Sequence, residues 1–487
     1  MGTSRLETPL CVRRRVYDSG LVVRTSLLAE RLRRPDLTLI AILVIAGALR
    51  LHLAATESYL HDEENTAIPL ADTISFTPGR LHLPLRGENH GALPAYVVHV
   101  SRVVFGTSRL ATRIVHVALG LATIVMIALL VRRQYGAVAS QWAAALMAFN
   151  EFYIEVSSRA TAHVPHLFFA TLAIVAVARF LDAQRPGYLY LAGAALGLAF
   201  YCKEHSALLL PVFFIVLMVT GHRRWLRSVH PYAALGVFVL VVSPDLLWNV
   251  RSPGETLVGY GDQTARQATY GSHLQRIGGL GLSPYPSMFY ARSAVIPLHE
   301  AMTGRTLTDE TPEYDAINPA LGVLLVGAVL LTTLGRPAAP ATMLLVAVFW
   351  SIFAFFTFIT KGNPPGRLDP VSWIWVEITL VPAVILGGLR LADAKGAWRV
   401  AAWTCAVAAL AYAAWTPSLG VLEFLMASLR EGVGQVSHAF QELAMATVDA
   451  VRQRPLRWLA GGGAAGAILG LAAGWWLRAW RDRSGQV

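Results

Sequence analysis

Residues 37–65 read LTLIAILVIAGALRLHLAATESYLHDEEN. The first part, 37–55, is an almost unbroken apolar run. A helix that crosses a bilayer needs roughly twenty such residues, and this run supplies them. The polar run His61-Asp62-Glu63-Glu64-Asn65 follows directly and opens a loop spanning 56–108. The same loop carries a second polar cluster, Arg86-Gly87-Glu88-Asn89-His90. A chain that only has to turn round uses a short loop. Adjacent acids and histidines at the end of a first helix point instead to a built site. A solvated acidic loop is the plain alternative.

The whole chain extends this reading. Hydrophobic residues make up 55% of the 487 positions and charged residues only 15%. A soluble domain is nearer a quarter charged, so the composition is that of a membrane protein. The net charge of +11 raises the question of nucleic acid. The arginines fall in short segments between apolar runs, however, which is the distribution of membrane topology and not of a nucleic-acid surface. Cys11, Cys202 and Cys405 form neither a disulfide framework nor a metal-ligand spacing.

Scanning for spans gives about twelve candidates. Their cores lie near 37–55, 109–131, 139–156, 163–181, 188–202, 205–221, 231–250, 317–335, 341–360, 371–390, 398–416 and 456–477. The stretch 92–105 is shorter and contains His99 and Arg102, so it reads as an interfacial or re-entrant helix. The expected fold is therefore all-α and polytopic, with a long first outer loop.

Charge orients it. Eight arginines lie in residues 1–36, which are expected to stay in the cytoplasm. Alternate loops then carry Arg132-Arg133, Arg179 with Arg185, Arg223-Arg224 with Arg227, Arg336, Arg390 with Lys395 and Arg399, and Arg478 with Arg481 and Arg483. Both termini are thus expected inside. The opposite ends carry Asp62, Glu63 and His90; Ser157, Ser158, Arg159 and His163; and Lys203, Glu204 and His205. Asp245, Asn249 and Arg251 follow, and then Lys361 and Arg367 around Gly362-Asn363-Pro364-Pro365-Gly366. Each has a bland reading: Arg159 snorkels, Lys203 pairs with Glu204, and the tyrosines of the 251–316 loop form an aromatic belt. Their convergence on one side from separate hairpins is what points to function.

From about 58 to 211 the order of motifs resembles the GT-C glycosyltransferases, most closely the branch of protein O-mannosyltransferases and lipid A aminoarabinose transferases. Asp62-Glu63 follows the first helix. His90-Gly91-Ala92-Leu93 stands where that branch has His-Pro-Pro-Leu, and Phe105-Gly106 closes the interfacial helix. Ser108-Arg109-Leu110-Ala111-Thr112-Arg113 leads into the second span, which ends in Arg132-Arg133-Gln134-Tyr135-Gly136. Ser158-Arg159 with His163, Lys203-Glu204, and Ser243-Pro244-Asp245-Leu246-Leu247-Trp248-Asn249 also match. The Pro-Pro after His90 is missing, as is the Arg-Tyr often found before a late Pro-containing helix.

The resemblance implies a membrane enzyme that moves a sugar from a polyprenyl-phosphate donor, with inversion, to a lipid, glycan or protein acceptor outside. Asp62 matches the catalytic base, with Glu63 as rival. His90, Arg159, His163, Lys203, Glu204, Asn249, Arg251 and Arg367 are the substrate-binding candidates. Arg and Lys suit a lipid phosphate because its developing charge needs fixed cations. No cofactor is implied, although His61 with Asp62 and Glu63 could bind a divalent ion. Membrane lipids are the expected surroundings and nucleic acid is not an expected partner. The expected organisation is a basic tail 1–36, a GT-C module 37–255, an outer loop 256–316, further spans 317–416, and an amphipathic stretch with a last span over 417–487. A secondary transporter, which Glu377 inside the tenth span would suit, and a non-catalytic scaffold are the competing classes.

Overall fold

A computed structural model describes residues 36–60, 62–85, 91–251, 289–290, 317–335, 337, 339–358 and 372–413. Among these the chain is helical, with one isolated antiparallel bridge between Ser75 and His82. The helices are α1 (Leu37–Thr56), α2 (Ile68–Thr73), α3 (Leu93–Phe105), α4 (Arg109–Tyr135), α5 (Ala137–Ala148) and α6 (Glu151–Ser157). They continue as α7 (His163–Ala183), α8 (Gly187–Phe200), α9 (Leu209–Val219) and α10 (His230–Arg251). The last four are α11 (Pro319–Leu334), α12 (Pro340–Phe358), α13 (Leu380–Asp393) and α14 (Gly396–Ala413).

The ends of these helices follow local chemistry. Asp36 caps α1 by accepting from Leu39 N at 3.1 Å, and Ser108 caps α4 by accepting from Ala111 N at 3.2 Å. Asn150 accepts from Tyr153 N at 3.1 Å, so a new helix, α6, starts within the predicted span 139–156. Each cap satisfies an amide that has no partner inside its helix. The spans expected at 205–221 and 371–390 also change geometry. They begin as 3-10 turns, Glu204–Leu208 and Ser372–Thr379, before continuing as α9 and α13.

Five helices among the described residues are long and apolar enough to cross a membrane: Leu37–Thr56, Arg109–Tyr135, His163–Ala183, His230–Leu247 and Pro340–Thr357. Shorter apolar helices complete the bundle, and the protein is an integral membrane protein. Helix α3 has the expected interfacial character, with Val100, Val103, Val104 and Phe105 exposed. In the core, α7 packs on α8, α8 on α10, and α5 on α13. Small residues allow the close approaches. A Cβ on Gly193 of α8 would lie 2.2 Å from the carbonyl oxygen of Ala234 on α10. Such packing suits a bilayer, where lipid tails already solvate apolar side chains and close backbone contact supplies the adhesion.

Candidate active site

Two polar clusters are built on these helices. The first surrounds Glu63. This carboxylate is fully buried and accepts from Arg113 Nε at 2.8 Å and Arg113 Nη2 at 2.6 Å, a bidentate pair with a side chain that is also fully buried. It also accepts from Leu60 N at 2.9 Å and Ala160 N at 2.7 Å. Arg113 spends its remaining donors on the carbonyls of Ala54 (3.2 Å), Glu57 (2.9 Å) and Ser58 (2.8 Å), and its guanidinium lies over the Tyr59 ring. The Ser-x-x-Ala-x-Arg segment therefore has a physical reading. Ser108 starts α4, and Arg113, one turn on, clamps the end of α1 and the acidic pair together.

Asp62 is placed by that clamp. It directly precedes a short π-helical turn, Glu63–Ala67, a geometry that recurs at functional sites. While Glu63 points inward, Asp62 is only half-buried. Its charge acts on both Lys203 and His163.

The second cluster is centred on Glu377, from the 3-10 turn before α13. Its Oε2 lies 2.5 Å from His163 Nδ1, and its Oε1 lies 2.5 Å from His166 Nδ1. The Lys203 ammonium is 3.4 Å from Glu377 Oε1 and 2.8 Å from His163 Nδ1. All four side chains are buried. Burial pulls the Lys203 ammonium below the ordinary lysine value, and the carboxylates of Glu377 and Asp62 oppose that pull. The buried Glu377 that would suit a transporter is thus tied to two histidines and a lysine from other helices.

Arg159 is nearly buried and lies between Glu155 (3.2 Å) and Glu57 (3.6 Å). Glu204 opens the 3-10 turn that follows Lys203. His90, Arg367 and the side chains of Asn249 and Arg251 lie outside the described residues, as do the basic tail up to residue 35 and everything beyond 413. So does most of the 256–316 loop. Of the predicted site residues, the structure brings Asp62, His163 and Lys203 into one neighbourhood, with Glu63 as their support.

Residues not singled out for the site from sequence complete it. Arg113 stood in a quoted motif without an assigned role. His166 is one helical turn from His163, and that i, i+3 spacing was the available signal. The Gly91 that replaces the expected proline also has a reason. A Cβ at Gly91 would lie 2.2 Å from the carbonyl oxygen of Tyr201, two residues before Lys203. The loop crosses this turn so closely that Tyr201 Oη also donates to Leu85 O at 2.5 Å.

A narrow apolar cleft lies among α7–α10, lined by residues that include Leu189, Leu196, Leu210, Phe213, Leu217 and Leu235. It is separate from the charged clusters, and it lies between the helices that flank Lys203.

The family model for dolichyl-phosphate-mannose-protein mannosyltransferases matches residues 89–248. The structure superposes on ArnT from Cupriavidus metallidurans bound to undecaprenyl phosphate with a TM-score of 0.53 and 16% identity, covering 90% of this chain and 76% of that one. The chain has a GT-C fold. Against apo ArnT from the same organism the TM-score is 0.50 at 16% identity, with 88% and 75% covered. No curated protein matches the chain by sequence. The matched segment contains Arg113, Arg159, His163 and Lys203.

Proposed function

We propose that this protein is a membrane glycosyltransferase that moves a sugar from a polyprenyl-phosphate donor to an acceptor at the outer face of the membrane. The observation that carries the reading is the buried Lys203 ammonium, held by Glu377 and His163 within electrostatic reach of the half-buried Asp62. A fixed cation beside a half-buried carboxylate is what an inverting transfer needs. The acceptor oxygen attacks C1 of the sugar and Asp62 takes its proton. The bond from C1 to the phosphate oxygen breaks, and polyprenyl phosphate leaves with its new charge facing Lys203.

The adjacent acids divide the work. Glu63 already accepts four hydrogen bonds and has no oxygen to spare for a substrate, so it positions Asp62. Arg159, held by two carboxylates, is the less available cation. The basic loops put both termini in the cytoplasm and Asp62 outside.

Radiolabelled polyprenyl-phosphate sugars incubated with the purified protein and a lipid extract test the reading. The parental chain should transfer label. Asp62→Asn should lower the rate about 10²–10⁴-fold, the usual worth of a positioned base, while leaving folding intact. Transfer by Asp62→Asn at the parental rate would overturn the assignment.

A further inference from the structure

His166 and Glu377 of the second cluster also form a ligand-type group with His205. His166 from α7, His205 from the turn after Lys203, and Glu377 each offer one ligand atom, and these atoms lie within 4.8 Å of one another. The His166 and His205 rings meet edge to face with centroids 4.7 Å apart. The Ser206 hydroxyl donates to the Lys203 carbonyl at 2.9 Å, so it accepts from His166 Nε2–H at 2.7 Å. In a neutral ring the other nitrogen, Nδ1, is then an acceptor. That nitrogen faces Glu377 Oε1, also an acceptor, at 2.5 Å. A cation must lie between them in the buried site, either a proton on His166 or a metal ion held by both. Ser206 meanwhile does what an outer partner of a metal-bound histidine does: it fixes the tautomer and aims the free lone pair.

We propose that His166, His205 and Glu377 bind a divalent cation of the zinc class. Two imidazoles and a carboxylate are a known zinc donor set that leaves a fourth position open. Tetrahedral ligands at about 2.0–2.1 Å from zinc stand roughly 3.3 Å apart, so the His166–Glu377 contact opens by about 0.8 Å when the ion enters. The ion joins α7, the turn before α9 and the turn before α13 at one point. This inference rests on the donor geometry and not on the transferase reading.

Full-length protein in detergent, stripped with chelator and dialysed against zinc, provides the test. The parental chain should retain an equimolar amount of zinc after buffer exchange. Cobalt in its place should give the visible d–d absorption of a tetrahedral nitrogen and oxygen site, lost when zinc is added. His166→Ala and His205→Ala should each weaken zinc retention at least tenfold. Because His166 is fully buried and its variant risks unfolding, the half-exposed His205 supplies the second variant, with monodispersity on a sizing column as the fold control. No zinc on the parental chain would overturn the proposal and assign the contact to a protonated His166. Equal retention by a folded His205→Ala would overturn it as well. Polyprenyl phosphate affinity, measured on the same preparations, reads the phosphate site separately, so the two proposals fail on different measurements.

Discussion

Glu63→Gln is the sharpest test of the division of labour between the two acids. The carboxylate accepts from two Arg113 N–H groups and from the amides of Leu60 and Ala160. A glutamine offers one oxygen and one NH₂ group. Whichever way the amide turns, its NH₂ faces donors and accepts from none of them. Each buried donor left unmet costs about 1–3 kcal/mol. Arg113 also loses its counter-charge in a site from which water is excluded. Breaking a buried pair at one end costs about 3–5 kcal/mol, and that range is expected here. It is a large share of the roughly 5–15 kcal/mol that separates folded from unfolded protein. Thermal unfolding followed by the fluorescence of the chain's 13 tryptophans should show a clearly lower melting temperature for Glu63→Gln, and little change for Asp62→Asn. Adding Arg113→Met should cost less than the sum of the two single changes, because it removes the stranded charge. A Glu63→Gln protein that melts like the parent yet transfers no sugar would refute the positioning role and make Glu63 part of the chemistry.

Three further outcomes follow from the same geometry. Lys203→Ala should weaken binding of both the polyprenyl-phosphate sugar and the sugar-free product about ten- to a hundredfold, the worth of a charged hydrogen bond of about 1.5–3 kcal/mol; unchanged product affinity in a folded variant rejects the phosphate role. Cysteine substitution at Asn89 should react with an impermeant reagent in intact cells and substitution at Arg132 should not, and the reverse pattern would invert the topology. Gly91→Ala places a Cβ 2.2 Å from the Tyr201 carbonyl, so it should displace the turn carrying Lys203 and lower transfer and product affinity together. Parental kinetics from Gly91→Ala would show that the loop does not hold Lys203 in place.

The architecture was legible because crossing a bilayer imposes a length and a composition on each segment, and the expected cores match helices along the described chain. What the apolar runs concealed was where a span breaks, since a cap such as Asn150 inside 139–156 leaves the mean hydropathy almost untouched. The candidate site was legible as a set of costly charges, which drew attention to Asp62, Glu63, His163 and Lys203. Their partners were not legible. Glu377 is separated by 211 and 214 positions from the histidines it bonds, and no local pattern announces contacts at that range. The adjacent acids looked interchangeable because their difference arises from tertiary closure: one is enclosed by Arg113, and its neighbour is only half-buried beside Lys203 and His163.

The same long-range bonds bear on how the protein is made. Glu63 meets Arg113 only after 50 more residues have been synthesised, and Ala160 only after 97. Lys203, His163 and His166 gain Glu377 only when the turn before α13 has emerged from the ribosome. A nascent chain halted before residue 372 would therefore carry its lysine and two histidines in the membrane without their counter-charge. Until those late residues are made, Lys203, His163 and His166 lack the carboxylate that holds them in the folded chain.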